Sequence, residues 1–149
     1  MIVAVGSDER HETALFACEE LRRRGHELHL FGALAEKGPS ARWSEVGEAV
    51  GEAVASGLCA SGVLFCWTGT GVSIAANKVR GIRAALCWDA PTAAGARRWN
   101  DANVLCASLR ATSAAVLGEI FDAWFATAPS EEPEDRAAVG DLDRIQSKR

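Results

Sequence analysis

The residues best suited to chemistry are crowded into one short segment, Cys66-Trp67-Thr68-Gly69-Thr70-Gly71-Val72-Ser73. Its two glycines let the backbone turn tightly and aim several N–H groups at one point. A helix starting directly after the turn adds its positive end. Such a cradle can hold a phosphate or a developing oxyanion, and its dipoles favour the thiolate form of a cysteine beside it. On its own the pattern is unspecific. Glycine-rich strand-to-helix turns are common, and a cysteine ending a buried strand is more often core than catalyst. No Gly-Lys-Ser/Thr closes the loop as in a Walker A motif, and the full GxGxxG spacing is missing.

Alternating strand and helix signals position this segment. Ile2–Val5 is a short apolar run ended by Gly6, as in a strand buried on both faces. Glu12–Arg24 has helical spacing and stops at Gly25. Glu27–Phe31 alternates as a strand, residues 32–42 read as a loop, and Trp43–Ser56 reads as an amphipathic helix closed by Gly57. Gly62–Cys66 is a buried strand, followed by the glycine turn and a helix over Val72–Lys78. A strand over Ile82–Cys87, a helix over Ala90–Asn100 with Pro91 in its first turn, and a strand over Asn103–Cys106 come next. A helix over Thr112–Thr127 ends the main body, and the chain from Pro129 reads as a loop followed by a helix or tail.

This order predicts an α/β three-layer sandwich with a five-stranded parallel, Rossmann-like sheet and right-handed crossovers. One domain is expected over residues 1–127, with residues 128–149 as its C-terminal loop and helix or tail. Ligands in such sheets bind beyond the carboxyl ends of the strands. Attention therefore falls on Ser7-Asp8, Cys66–Gly71, Trp88-Asp89 and the residues flanking the fifth strand.

The bulk numbers narrow the function classes. A chain of 149 residues suits one domain with one core. With 48% apolar and 24% charged residues, it reads as a soluble globular protein. Neither a membrane span nor a signal peptide is read, so the expected compartment is the cytoplasm. The net charge of −4 and the lack of a basic face argue against nucleic-acid binding. Arg22, Arg23 and Arg24 fit the dipole-favoured last turn of a helix. The five cysteines are odd in number and form no CxxC pair, which argues against zinc and against a disulfide framework. No metal or cofactor is expected.

Five blocks in order carry a resemblance to a known family: Gly6-Ser7-Asp8; Cys66-x-Thr68-Gly69-x-Gly71; Ser73 to Lys78; Gly81 to Ala85; and Asn100 to Leu105. Together they resemble ribose-5-phosphate isomerase B and the galactose-6-phosphate isomerase subunits over residues 1–127. The resemblance implies aldose–ketose isomerisation of a sugar phosphate through an enediolate. It implies Cys66 as the base, assisted by Thr68, and the N–H groups of Gly69, Thr70, Gly71 and Val72 as the anion hole. Asp8 and Asn100 match sugar contacts, and Arg110 matches an arginine that helps hold the phosphate. A homodimer with a shared site, or a tetramer built from it, is implied as well.

Several family positions are altered. The glutamate that serves as base in one branch would fall at Val72. The family's ring-opening histidine is replaced by Trp99, whose indole has no nitrogen that titrates in this range. Trp43 stands in a pocket segment that usually reads Asp-Tyr-Pro, and Trp67 follows the cysteine where glycine is usual. Glu9 and Arg10 follow Asp8, and only Arg136 remains to replace a C-terminal arginine grip. Trp43, Trp67 and Trp99 could stack on a sugar or fill vacated space, and Arg10 could help rebuild an anion site. His11, near Asp8, is a weaker candidate for a proton shuttle. Two alternatives therefore stand beside the sugar-phosphate isomerase. One is an isomerase or epimerase for a non-phosphorylated or open-chain polyol, and the other a non-catalytic ligand-binding homologue.

Overall fold

A computed structural model describes residues 1–36 and 42–148. The part of the expected loop at 37–41 lies outside the described residues. Five parallel strands form one sheet: β1 (Ile2–Ser7), β2 (Glu27–Gly32), β3 (Ser61–Cys66), β4 (Ala84–Leu86) and β5 (Val104–Ser108), in the order β2-β1-β3-β5-β4. The connecting helices are α1 (Glu12–Arg23), α2 (Trp43–Ala55), α3 (Thr70–Ala76) and α4 (Ala90–Asn100). After β5 come α5 (Ala114–Ala126) and α6 (Pro133–Gln146).

The alternation of side chains along each strand divides the core into two layers. Val3, Val5, Val63, Phe65, Leu105 and Ala107 face α1, α4 and α5. Ala4, Leu64, Cys66, Val104 and Cys106 face α2 and α3. This division follows from right-handed crossovers. Connections running one way along the sheet put their helices on one face, and those running back put them on the other.

Small residues let α2 and α3 approach closely. A Cβ added at Gly47 would stand 2.6 Å from the Ala75 Cβ and 2.9 Å from the Val72 carbonyl oxygen. On the other face α5 is locked to the sheet by apolar burial and by Trp124, whose Nε1–H donates to the Ser61 hydroxyl at 3.3 Å.

Several expected boundaries shift. The apolar run 82–87 yields only a three-residue strand, because Arg83 is tied to Asp101 and Asn103 before pairing begins. The helix after the glycine turn starts at Thr70 rather than at residue 72. The fifth strand continues past Cys106 to Ser108. The C-terminal segment is helical. None of α6 is buried, and it is tethered by Gln146, whose Oε1 accepts the Gly81 N–H at 3.0 Å.

Phe121 is fully buried in the α1/α4/α5 layer. Phe121→Ala should therefore destabilise the fold by about 3–5 kcal/mol, read as a lower urea midpoint at unchanged slope.

Candidate active site

The strand order fixes where a site can form. From β1 the chain first moves to β2 on one side and then to β3 on the other, so a crevice opens beyond the carboxyl ends of β1 and β3. The parallel register pairs Ser7 with Phe65, which puts Asp8 and Cys66 one step further along, side by side at that crevice. Cys66 is paired on its other flank with Ser108 of β5.

The turn after Cys66 is clamped from both sides. The Cys66 carbonyl accepts the Gly69 N–H at 3.2 Å and the Leu109 N–H at 3.0 Å. The Trp67 carbonyl accepts the Ser108 hydroxyl at 2.8 Å and the Arg110 N–H at 3.1 Å. Gly69 takes a left-handed conformation at φ +76°, which favours glycine. A Cβ there would also stand 2.6 Å from Leu86 Cδ1 and 2.9 Å from the Ala107 carbonyl carbon. The Thr68 and Thr70 hydroxyls share a hydrogen bond of 2.7 Å at the exposed rim.

This geometry corrects one expectation. The Gly69 amide is engaged by the Cys66 carbonyl and does not serve the cradle. The amides of Thr70, Gly71 and Val72 precede the first helical bond, which Ser73 donates to Gly69 at 3.4 Å, and no side chain caps this helix start. Their N–H groups are the ones left for an anion.

The side chains around the turn divide by environment. Cys66 is 5% exposed and shares a buried cluster with Val72, Leu64 and Cys106. Burial pushes the Cys18, Cys59 and Cys106 thiols up from their ordinary range, and pushes Cys87 up to about 12. Those four are thereby held as thiols at neutral pH. Trp43, at the start of α2, lies across the glycine turn, with its Cδ2 atom 2.8 Å from where a Gly71 Cβ would stand. Asp8 Oδ1 is buried and has no hydrogen-bond partner among the described residues. Burial raises the Asp8 carboxyl above its ordinary range, and the charge of Glu9 raises it further.

One chain brings together Cys66, Thr68, Gly69, Thr70, Gly71, Val72, Asp8, Trp43 and the Arg110 backbone. Arg10 is an exposed residue at the same end. Trp99, Asn100 and Arg136 lie elsewhere. α4 runs from the carboxyl end of β4 back to the amino end of β5, so its last residues sit at the far end of the sheet, roughly 15 Å away along the strands. There Trp99 folds over Gly95 and shares a hollow of about 210 Å³ with Arg98, Asp135 and Arg136. Asn100 lines a separate open groove of about 850 Å³ between α3, the start of β4 and α6. The expected single pocket region for Trp43, Trp67 and Trp99 is thus not formed within one chain. Sequence reasoning also passed over Ser108, since ending the fifth strand at Cys106 left it outside. The apolar run to Ala107 was the available signal. Among the described residues, no group of His, Cys, Asp and Glu could hold a metal ion, and no helix is long and apolar enough to cross a membrane.

The family model described as Ribose/Galactose Isomerase matches residues 3–141. Ribose-5-phosphate isomerase B of Clostridium thermocellum superposes with a TM-score of 0.90 at 35% identity, covering 99% of each chain. Ribose-5-phosphate isomerase B of Escherichia coli is 46% identical over 72 residues, 48% of each chain. D-erythrulose-4-phosphate isomerase of Pectobacterium atrosepticum is 39% identical over 82 residues, 55% of this chain and 54% of the relative. The chain spans about half the length of the curated relatives it matches.

The raised Asp8 carboxyl carries a stability cost with a definite sign. The folded chain holds this proton more readily than the unfolded chain, so stability falls as pH rises through the interval above the unfolded value of about 4. Asp8→Asn should be more stable than the parent at pH 7 in urea titrations. That advantage should vanish as pH drops below about 4.

Proposed function

Because the chain belongs to the ribose/galactose isomerase family, we propose that it interconverts an aldose phosphate and a ketose phosphate by proton transfer through an enediolate, with Cys66 as the base. The observation that carries this reading is the position of Cys66. It ends the central strand at the crevice of the sheet, one residue before a clamped turn with its amides unspent. In the forward direction the Cys66 sulfur removes the proton on the carbon beside the carbonyl. The carbonyl π pair moves onto its oxygen, giving the enediolate. The sulfur then returns its proton to the neighbouring carbon while the hydroxyl proton passes from one oxygen of the enediolate to the other. The N–H groups of Thr70, Gly71 and Val72 hold negative charge on the substrate, with the Thr68–Thr70 hydroxyl pair at the rim. Asp8 accepts from sugar hydroxyls through its unpartnered oxygen.

The separation of Cys66 from Asn100 and Arg136 favours a homodimer with shared sites. A second copy of the chain would bring Trp99, Asn100 and Arg136 to the Cys66 end and so complete the site. A specific observation favours an open-chain substrate over a ring. Trp99 offers no group to move the ring-opening proton, and Arg136 directly follows an acidic run that holds Glu131, Glu132, Glu134 and Asp135. A four-carbon ketose phosphorylated on its terminal oxygen has no hydroxyl with which to close a five-membered ring. D-erythrulose 4-phosphate, the substrate named for one relative, is of this kind.

Two outcomes follow. Deuterium from solvent should wash into the carbon beside the carbonyl with the parent protein, and Cys66→Ala should lower that exchange by about 10³-fold or more. Full exchange in Cys66→Ala would remove Cys66 as the base. Across a panel of sugars with and without phosphate, turnover of ribose 5-phosphate should be weak and that of D-erythrulose 4-phosphate stronger. A kcat on ribose 5-phosphate of about 10 s⁻¹ or more, ordinary for an enzyme, would contradict the argument from Trp99.

A further inference from the structure

His11 stands where β1 hands over to α1, beside the same crevice. It is the N-cap of α1, and its Nδ1 accepts the Thr13 N–H at 3.2 Å. That bond decides what the ring can do. A nitrogen that accepts carries no proton, so the neutral imidazole keeps its one hydrogen on Nε2. The ring is half-buried and meets the Trp67 indole edge to face, with centroids 6.2 Å apart and planes at 76°. Trp67 directly follows Cys66. Asp8, whose Oδ1 is buried without a partner, lies on the same short stretch as His11. Of the chain's three histidines, His26 precedes β2 and His29 lies within it, so His11 is the imidazole at the carboxyl end of the sheet.

We infer that His11 is an electrophilic group of the site, its Nε2–H donating a hydrogen bond to the substrate oxygen that gains charge as Cys66 takes the carbon proton. The part played by Cys66 rests on the isomerase reading. In this step the carbon–hydrogen pair becomes the enediolate double bond and the carbonyl π pair moves onto oxygen. The proton goes to sulfur, and the Nε2 hydrogen stays on nitrogen. With its only lone pair engaged at Nδ1, the ring acts as a donor and not as a base. A neutral imidazole can polarise a carbonyl in this way. The Trp67 indole packs edge to face on one side of the ring and helps to orient it.

His11→Asn separates the donor from the cap. Asn caps helices through its side-chain oxygen, yet its amide ends short of the Nε2 position. This variant should keep the parent melting temperature and KM while kcat falls about 10²-fold or more. His11→Ala should lose kcat equally and lower the melting temperature by about 2–4 °C. A His11→Asn kcat within about threefold of the parent would overturn the proposal. A second measurement does not depend on turnover. In ¹⁵N-histidine NMR, titration with 3-phospho-D-glycerohydroxamate, a planar mimic of the four-carbon enediolate, should move the His11 Nε2–H resonance. An unmoved resonance at saturating hydroxamate would overturn the proposal whether or not the parent isomerises sugars. A moved resonance in a parent that turns over no aldose or ketose phosphate would sink the isomerase reading and leave the His11 contact standing.

Discussion

The Cys66 carbonyl accepts two amides at once, Gly69 from its own turn and Leu109 from the loop after β5. This pair of bonds governs much of the site. β3 is buried at every position, so it can present chemistry only where it ends. At that end the chain must reverse within a few residues and start α3. The Gly69 bond closes the turn, and the Leu109 bond fastens it to the neighbouring strand. A side chain at residue 69 would collide with the Ala107 backbone and Leu86 and would strain a left-handed φ. The result is a hydrogen-bonded step that places a thiol beside three consecutive amides. Such preorganisation is what makes hydrogen-bond donors effective toward charge that appears only in the transition state.

The sequence was most informative where local physics decides. Short apolar runs bounded by glycine gave the buried strands. Helical spacing that stopped at Gly25 and Gly57 gave α1 and α2, and five ordered blocks gave the family. Arg83 could not be read as the end of a loop, because its partners Asp101 and Asn103 lie about twenty residues away and are brought near only by the pairing of β4 with β5. The Gly69 amide looked available, yet closing the tight turn itself uses it, in the bond to the Cys66 carbonyl three residues earlier. The fate of the last helix was equally open, since α6 buries none of its residues and is tethered through Gln146 to a distant glycine.

The residues assigned to the site divide between the two ends of the sheet. Family blocks place residues in a common site without saying which chain supplies them. The path of α4 from one end of the sheet to the other means that Cys66 and Asn100 cannot meet within a chain. The groove beside Asn100 and the hollow beside Trp99 therefore lie at the opposite end of the sheet from the Cys66 turn. Of the aromatic replacements, Trp43 walls the glycine turn and Trp67 meets His11 edge to face, while Trp99 folds over Gly95 at the other end.

The central claim is that the Cys66 sulfur faces a substrate carbon held by the Thr70–Val72 amides. The direct measurement is a crystal structure of the protein with 3-phospho-D-glycerohydroxamate. The account predicts Cys66 Sγ within about 3.5 Å of the carbon that mimics the enediolate, with those amides on the anionic oxygens of the ligand. A ligand bound away from the turn, or a sulfur sealed behind Val72 with no contact to it, would contradict it.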